Sequence, residues 1–415
     1  MSNKITKKLI LLILAFLAVI LLGRPVMAAN SGQINASAAL IADATTGQVI
    51  YDQNANQKLP IASISKLLTV LVIEDEIQQK KLTWDTQVKI TPEVAAIAND
   101  PAYSTIGLQA GQSYSVRMLV DAALVKSADG AALALSMAAG DKVDEFNLKM
   151  IDKAKELGIS DATIVNSVGL TNGDMKSFKL VDLPNNTENS MSARDVAIIA
   201  RYLVQHYPEL LQVTAQKEAK YQVKAGEVKT EKNLNKMLPG GQYTVKDVKI
   251  DGLKTGTSDA AGACFVSTGT YQGHRIITVV LHANGKNKDA RFTATQQLYQ
   301  YLKTNEHLQK IKVPTSATTK QVEDGAVRTV KLQPRQITIW APYDTRTDYT
   351  IGVKYRSNRL TKKGKLEAPI WKDQTVGKLQ LSSSQIQTLD NEPLAYDLTS
   401  TEDVQRGNWW QRLWH

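Results

Sequence analysis

The stretch "IASISKLLTV", residues 61–70, places Ser63 three positions before Lys66 and lets an apolar run follow. Two readings compete. In the first, Pro60 precedes a helix that Ser63 caps, and Leu67, Leu68, Val70 and Leu71 supply its buried face. In the second, Ser63 is a nucleophile and Lys66 its base, because residues i and i+3 share a helix face. Ser-x-x-Lys alone does not choose between them. The rest of the chain does.

The chain has 415 residues, enough for two or three domains at roughly 150 residues each and for a large core. Its first 28 residues stand apart: Lys4, Lys7 and Lys8, then an unbroken apolar run over 9–22, then Gly23, Pro25 and the small-residue site Val26-Met27-Ala28. This pattern predicts a secretory signal peptide, since the run is shorter than the ~20 residues a membrane span needs. Net charge is +10, and removing Lys4, Lys7, Lys8 and Arg24 with no acid lowers it to +6. There is no basic stripe with interleaved aromatics, so no nucleic acid is expected as a partner. A mildly basic exported protein suits an anionic wall or membrane surface.

Cys264 is the sole cysteine, which excludes an internal disulfide, and it reads as a packing residue in a buried strand. His206, His274, His282, His307 and His415 are scattered without ligand spacing. A zinc peptidase is therefore disfavoured.

Two apolar runs around Thr46-Gly47 predict a hairpin over 37–60. The middle of the chain is helical. Residues 116–140 break near Ser127–Gly130, 143–158 end at Gly158, and 192–210 open on Ser192 with Asp195 as a capping box. From 245 the pattern turns to three strands, closed by a helix over 289–305. Strands early, helices between and strands late make an α+β fold, an antiparallel sheet with packed helices. Residues 306–320 read as a linker, and 321–382 as period-2 strands of a small all-β sandwich. In the tail, "VQRGNWWQRLWH" puts Trp409, Trp410, Leu413 and Trp414 on one helical face, which fits an amphipathic membrane anchor over 396–415.

A serine–lysine site also needs a proton relay, cationic substrate recognition and an oxyanion hole. Ser127-Ala128-Asp129 follows Ser63 by 64 residues, and Lys254-Thr255-Gly256-Thr257 follows Ser127 by 127. The order Ser-x-x-Lys, Ser-x-polar, Lys-Thr-Gly is the triple motif of penicillin-recognising serine enzymes. Across about 35–400 the chain resembles the low-molecular-mass penicillin-binding proteins that act as D-alanyl-D-alanine carboxypeptidases. "LPIASISKLLT" is similar to the family's active-serine segment. "IDGLKTGTSDAAG" (250–262) is similar to its third motif, with Ile250 where the family carries valine. "TIVNSVGL" (163–170), "SARDVAIIARYL" and "EAPIWKDQTVGKL" (367–379) are similar to further segments, and the tryptophan-rich tail to its anchor.

The resemblance implies a serine β-lactamase/transpeptidase-like catalytic domain over 29–305, after a signal peptide over 1–28. A linker (306–320), a small all-β domain (321–395) and the anchor tail (396–415) follow. It implies an acyl-enzyme at Ser63, Lys66 as base and Ser127 as proton relay to the leaving D-alanine. The N–H groups of Ser63 and Thr257 would form the oxyanion hole. Lys254, Thr255, Gly256 and Thr257 would bind substrate, with Arg291 at the family's carboxylate-binding position. Lys254 beside Lys66 would lower the base's pKa. Asp251 and Gly252 are expected as turn residues before the strand.

The implied partners are peptidoglycan stem peptides, β-lactam antibiotics and a membrane surface. No metal or organic cofactor is implied. One position departs from the pattern: Asp129 stands where the family carries asparagine, and an ionised carboxylate offers only acceptors. Two other outcomes stay open on the same fold. One is a β-lactamase or endopeptidase, for which Asp182 and Glu188 are candidate carboxylates. The other is a non-catalytic wall-binding protein disabled by Asp129.

Overall fold

Asp43 Oδ1 accepts the backbone N–H groups of Thr45 (2.9 Å) and Thr46 (3.0 Å), and Gly47 follows at φ +79°. The chain therefore reverses between two apolar runs, with glycine at the position that needs the left-handed conformation. The result is the hairpin of β1 (Ala36–Asp43) and β2 (Gln48–Gln53). In the computed structural model, residues 32–334, 337–344 and 347–413 are described. The expected signal peptide and Trp414 lie outside them. The chain divides into a short unit, Met1–Ile34, and a large one, Asn35–His415, which holds every element named below.

The late strands are β3 (Lys249–Ser258), β4 (Gly262–Tyr271) and β5 (His274–Ala283). They join the hairpin in one antiparallel sheet with the order Gln387–Thr388, β2, β1, β5, β4, β3. The helical middle is inserted between β2 and β3. It contains α1 (Lys66–Gln78), α2 (Asp129–Leu135), α3 (Val143–Glu156) and α4 (Ala193–His206), and α5 (Ala290–Asn305) follows the sheet. α4 and α5 pack on β1 and β5, and α1 lies against α2, α3 and α4. Burial of α1 extends almost around its circumference, from Leu67, Leu68, Val70 and Leu71 to Lys66 and Thr69. A helix of that kind belongs inside a core. The capping box of α4 is present: Ser192 Oγ accepts the Asp195 N–H, and Asp195 Oδ2 accepts the Ser192 N–H.

Three local expectations change. The α-helix starts at Lys66, not Ser63. Residues Ala62–Ser65 form a 3₁₀ turn, closed by the Ser65 hydroxyl donating to Ala62 O at 2.7 Å, and Ser63 caps nothing. Asp251 and Gly252 are inside β3, not in a turn before it. The Asp251 carboxylate takes a bidentate pair from Arg275 of β5 (2.9 and 3.0 Å), and Arg275 also donates to Thr268 of β4 between them. A charge tied across three strands keeps a polar residue in the ladder.

The third change concerns 306–320, which is more than a connection. Glu306–Lys310 is a strand paired with Thr338–Pro342. The remaining strands form a six-stranded sheet in the order Thr350–Tyr355, Thr375–Ser382, Leu394–Ser400, Thr329–Pro334, Thr319–Glu323, Leu366–Glu367. Val322, Val330, Leu366, Ile370, Val376, Leu398 and Val404 build one core there. Ile339, Leu379, Leu381, Leu394 and Tyr396 build a second against the two-stranded ribbon. The β-module thus runs past residue 395, through Leu394–Ser400 to buried Val404. Among the described residues of the tail, only Trp409–Leu413 is helical.

The module is fastened to the first sheet. Gln387–Thr388 extends the β2 edge, Gln48 exchanges two hydrogen bonds with the Trp340 backbone (2.7 and 3.0 Å), and the Trp340 indole donates to Asp43 (3.1 Å).

Candidate active site

The serine turn is wedged between two glycines. A Cβ on Gly256 of β3 would lie 2.4 Å from Ile61 O, and one on Gly169 would lie 2.1 Å from Ala62 O. Only hydrogen at these positions lets β3 and the 163–170 loop approach the backbone beside Ser63. Asn166 shapes that loop: its Oδ1 accepts the N–H groups of Val168 (3.0 Å) and Gly169 (2.7 Å), and its amide donates to Leu170 O (2.8 Å). Gly169 also holds φ +85°. Alanine there adds strain of about 1–3 kcal/mol to the clash. Gly169→Ala should lower Tm and slow acylation of Ser63 several-fold, read by thermal unfolding and by stopped-flow acylation. An unchanged variant would show that the turn does not depend on this contact.

Lys66, wholly buried at the start of α1, places Nζ 2.7 Å from Ser63 Oγ, 2.7 Å from Asp129 Oδ1 and 2.8 Å from Val168 O. An ammonium has three donors, and three acceptors surround it. A neutral amine has two donors and one lone pair. Asp129 and Val168 O can only accept, so the lone pair is left facing the Ser63 hydroxyl. Burial pushes the Lys66 pKa down, and the Asp129 charge pulls it back up.

Ser127 occupies the break between a π-helical turn, Ala122–Lys126, and α2, with left-handed φ +63° and ψ +27°. This conformation is costly for a residue with a side chain, and such outliers cluster at functional sites. Lys254 of β3 donates to Ser127 Oγ (2.8 Å) and to Thr255 O (2.9 Å). Burial holds its pKa well below the usual lysine value, and the charges of Lys66 and Arg291 push the same way. Ser63, Lys66, Ser127, Asp129 and Lys254 are thus linked in two hydrogen-bonded chains.

The expected site residues do not all stand alike. Arg291, 3% exposed, gives Nε to Lys288 O, Nη1 to Gly256 O and Cys264 O, and Nη2 to Thr257 Oγ1. Four of its five donors are spent on its own chain. Burial lowers its pKa to about 10. Glu188 is buried and accepts the Ser258 hydroxyl at 2.6 Å, while Asp182 is exposed. Cys264 is buried, and burial pushes its thiol up to about 11.

Sequence reasoning passed over two groups. The Ser104 N–H donates to Asp129 Oδ2 (2.9 Å), and Ser104 O accepts the Asp129 N–H (2.9 Å). Val168 O completes the Lys66 shell. Both act through the backbone, which leaves no side-chain signature. Asn166, inside a segment already singled out, was the available clue to the second.

A family model described as D-alanyl-D-alanine carboxypeptidase matches residues 25–285. The D-alanyl-D-alanine carboxypeptidase DacF of Bacillus subtilis is 25% identical over 383 residues, 89% of this chain and 86% of that one. The solved structure of a peptidoglycan synthesis regulatory factor (PBP3) from Streptococcus pneumoniae aligns with a TM-score of 0.78 and 31% identity, covering 90% of this chain and 100% of that one. Penicillin-binding protein D2 from Listeria monocytogenes, solved in a cefotaxime-bound form, aligns with a TM-score of 0.53 and 28% identity over 65% of this chain and 97% of that one.

Proposed function

Because the chain belongs to the D-alanyl-D-alanine carboxypeptidase family, we propose that it removes the terminal D-alanine from peptidoglycan stem peptides through an acyl-enzyme at Ser63. One observation carries this reading: Lys66 Nζ lies 2.7 Å from Ser63 Oγ with its two other partners restricted to accepting. The neutral amine takes the Ser63 proton as Oγ bonds to the carbonyl carbon of the penultimate D-alanine. The N–H groups of Ser63 and Thr257 receive the oxyanion. As the C–N bond breaks, the proton held by Lys66 passes by way of the Ser127 hydroxyl to the departing amine, which leaves Lys66 neutral again, while Lys254 holds Ser127 in place. Water then attacks the ester and gives its proton to Lys66, which returns it to Ser63 Oγ as the ester C–O bond breaks and the shortened stem is freed.

Lys254, Thr255 and Thr257 offer a cation and two hydroxyls to the leaving residue's carboxylate, with the Gly256 backbone allowing close approach. Arg291 acts here as a positioning residue: it fixes Thr257 and the β3 backbone. β-Lactams, which present a strained amide to the same serine, would acylate Ser63. Asp129 accepts from both Lys66 and Ser104, which supports a role in positioning the base.

The N-terminal 28 residues would export the chain. Among the described residues no helix is long and apolar enough to cross a membrane. The tail tryptophans would instead hold the protein at the outer face of the membrane, lying in the interface.

The test is direct. Purified protein incubated with a stem pentapeptide should release one equivalent of D-alanine and leave the tetrapeptide, both read by mass spectrometry. No release, under conditions where penicillin still forms an adduct, would remove the carboxypeptidase reading.

A further inference from the structure

Tryptophan is rarely left exposed. Among the described residues, however, Trp371 is 50% exposed, Trp409 55% and Trp410 61%, whereas Trp340 is buried. Trp409 and Trp410 stack on each other, ring centroids 3.9 Å apart, on the short C-terminal helix. That helix is started by a reciprocal cap, Asn408 N to Gln411 Oε1 and Gln411 N to Asn408 Oδ1, both 2.9 Å.

Trp371 is 38 residues earlier in the chain, yet the fold brings its loop to the edge from which the tail leaves. Ile370 and Val404 exchange backbone hydrogen bonds (3.0 and 2.7 Å), and the Lys372 N–H donates to Asp403 (2.6 Å). A third loop joins them: the Ala326 N–H donates to Gln405 O (2.9 Å) and the Gly407 N–H to Asp324 O (2.8 Å). That loop carries Val327, 47% exposed.

The Trp371 loop is stiff. Gln374 Oε1 accepts the Trp371 N–H (2.9 Å), Trp371 O accepts the Gln374 N–H (3.0 Å), and Arg359 donates to Pro369 O (2.7 Å). An indole held out by a rigid loop pays little ordering entropy when it is covered.

We propose that Val327 and Trp371 form a second membrane contact, seated in the headgroup layer of the same phospholipid bilayer as the C-terminal helix. The proposal rests on the membrane reading of the tail. The occupant is a bilayer because the exposed side chains are chiefly tryptophan, which favours the water–lipid boundary. Lys372 and Arg412 adjoin them in sequence, with Arg406 paired to Asp324 (3.6 Å), and the patch continues into an amphipathic tail. Two contacts on one rigid edge fix the module's orientation to the membrane, whereas a tail alone would leave it free to pivot.

The experiment uses the full mature chain, its Trp371→Ser and Trp371→Phe variants, and a chain ending at Gly407. Each is floated with vesicles of phosphatidylcholine and phosphatidylglycerol. Trp371→Ser should lower the partition coefficient about tenfold, the loss of one interfacial aromatic, while Trp371→Phe keeps most of it. Melting temperature and turnover of a soluble substrate should not change. In the shortened chain, lipids brominated near the headgroup should still quench Trp371 fluorescence. If Trp371→Ser partitions like the parent, the second contact is wrong and the tail anchor stands. If the full chain fails to float at all, both fall.

Discussion

Ser63→Ala should abolish D-alanine release, with a loss on the order of 10⁴-fold or more, because no other group can form the ester. The same variant should show no covalent adduct by intact mass after penicillin, whereas the parent gains one adduct in the peptide holding Ser63. Folding should be nearly unaffected, since Ser63 is half-buried in a turn held by neighbours: Ser65 to Ala62 O and Ile64 N to Ile61 O. Wild-type melting with no acylation separates loss of chemistry from loss of fold. An adduct that survives in Ser63→Ala would move the nucleophile elsewhere and end the proposed mechanism.

The second large effect is expected at Asp129. Its two carboxylate oxygens face two donors, Lys66 Nζ at 2.7 Å and the Ser104 N–H at 2.9 Å. Burial lowers the Lys66 pKa and Asp129 raises it, so removing the negative charge should lower it further. The sign follows: the base works as the neutral amine, whose fraction grows as pH rises through its pKa. A lower pKa moves the acylation profile of Asp129→Asn to lower pH. Each unit is worth tenfold in neutral base below the pKa, so the variant should acylate about 10- to 100-fold faster at neutral pH.

The same change should cost about 1–3 kcal/mol of stability, because an amide has one acceptor oxygen for two donors. Stopped-flow β-lactam acylation from acid to alkaline pH, with denaturant melts, tests both. Superimposable profiles would show that Asp129 does not tune the lysine. A variant slower at every pH would mean that the amide N–H captures the lysine lone pair needed by Ser63.

Much of the site was legible because its chemistry demands particular side chains at fixed spacings. Ser63 and Lys66 share a turn, and Lys254-Thr255-Gly256 needs an extended strand to lie beside them. The sheet was legible for a different reason: apolar runs and glycine turns alternate from 249 to 283. What stayed hidden is backbone and long-range. Val168 O and the Ser104 N–H belong to residues whose side chains carry no hint of their role. Asp251 resembles a turn residue until Arg275, two strands away, supplies its partner. Glu306–Lys310 looks like a linker because its only strand partner, among the described residues, is Thr338–Pro342, and a lone polar strand has no local signal. Arg291 was expected at a carboxylate-binding position, and motif spacing does not reveal that four of its donors are committed to its own chain.

The strip Gln387–Thr388 that extends β2 has a consequence for how the protein is made. The outer edge of the first sheet is completed by the far end of the chain, and Gln48 waits for Trp340, 292 residues later, for its hydrogen bonds. During synthesis, that edge strand is left with open N–H and C=O groups while most of the chain is still emerging. Such an edge invites pairing with other chains, and contacts this distant form late. The nascent molecule therefore cannot close this edge until Trp340 and Gln387–Thr388 have emerged. Its biogenesis is set less by the catalytic residues than by the order in which the two ends of the chain become available to each other.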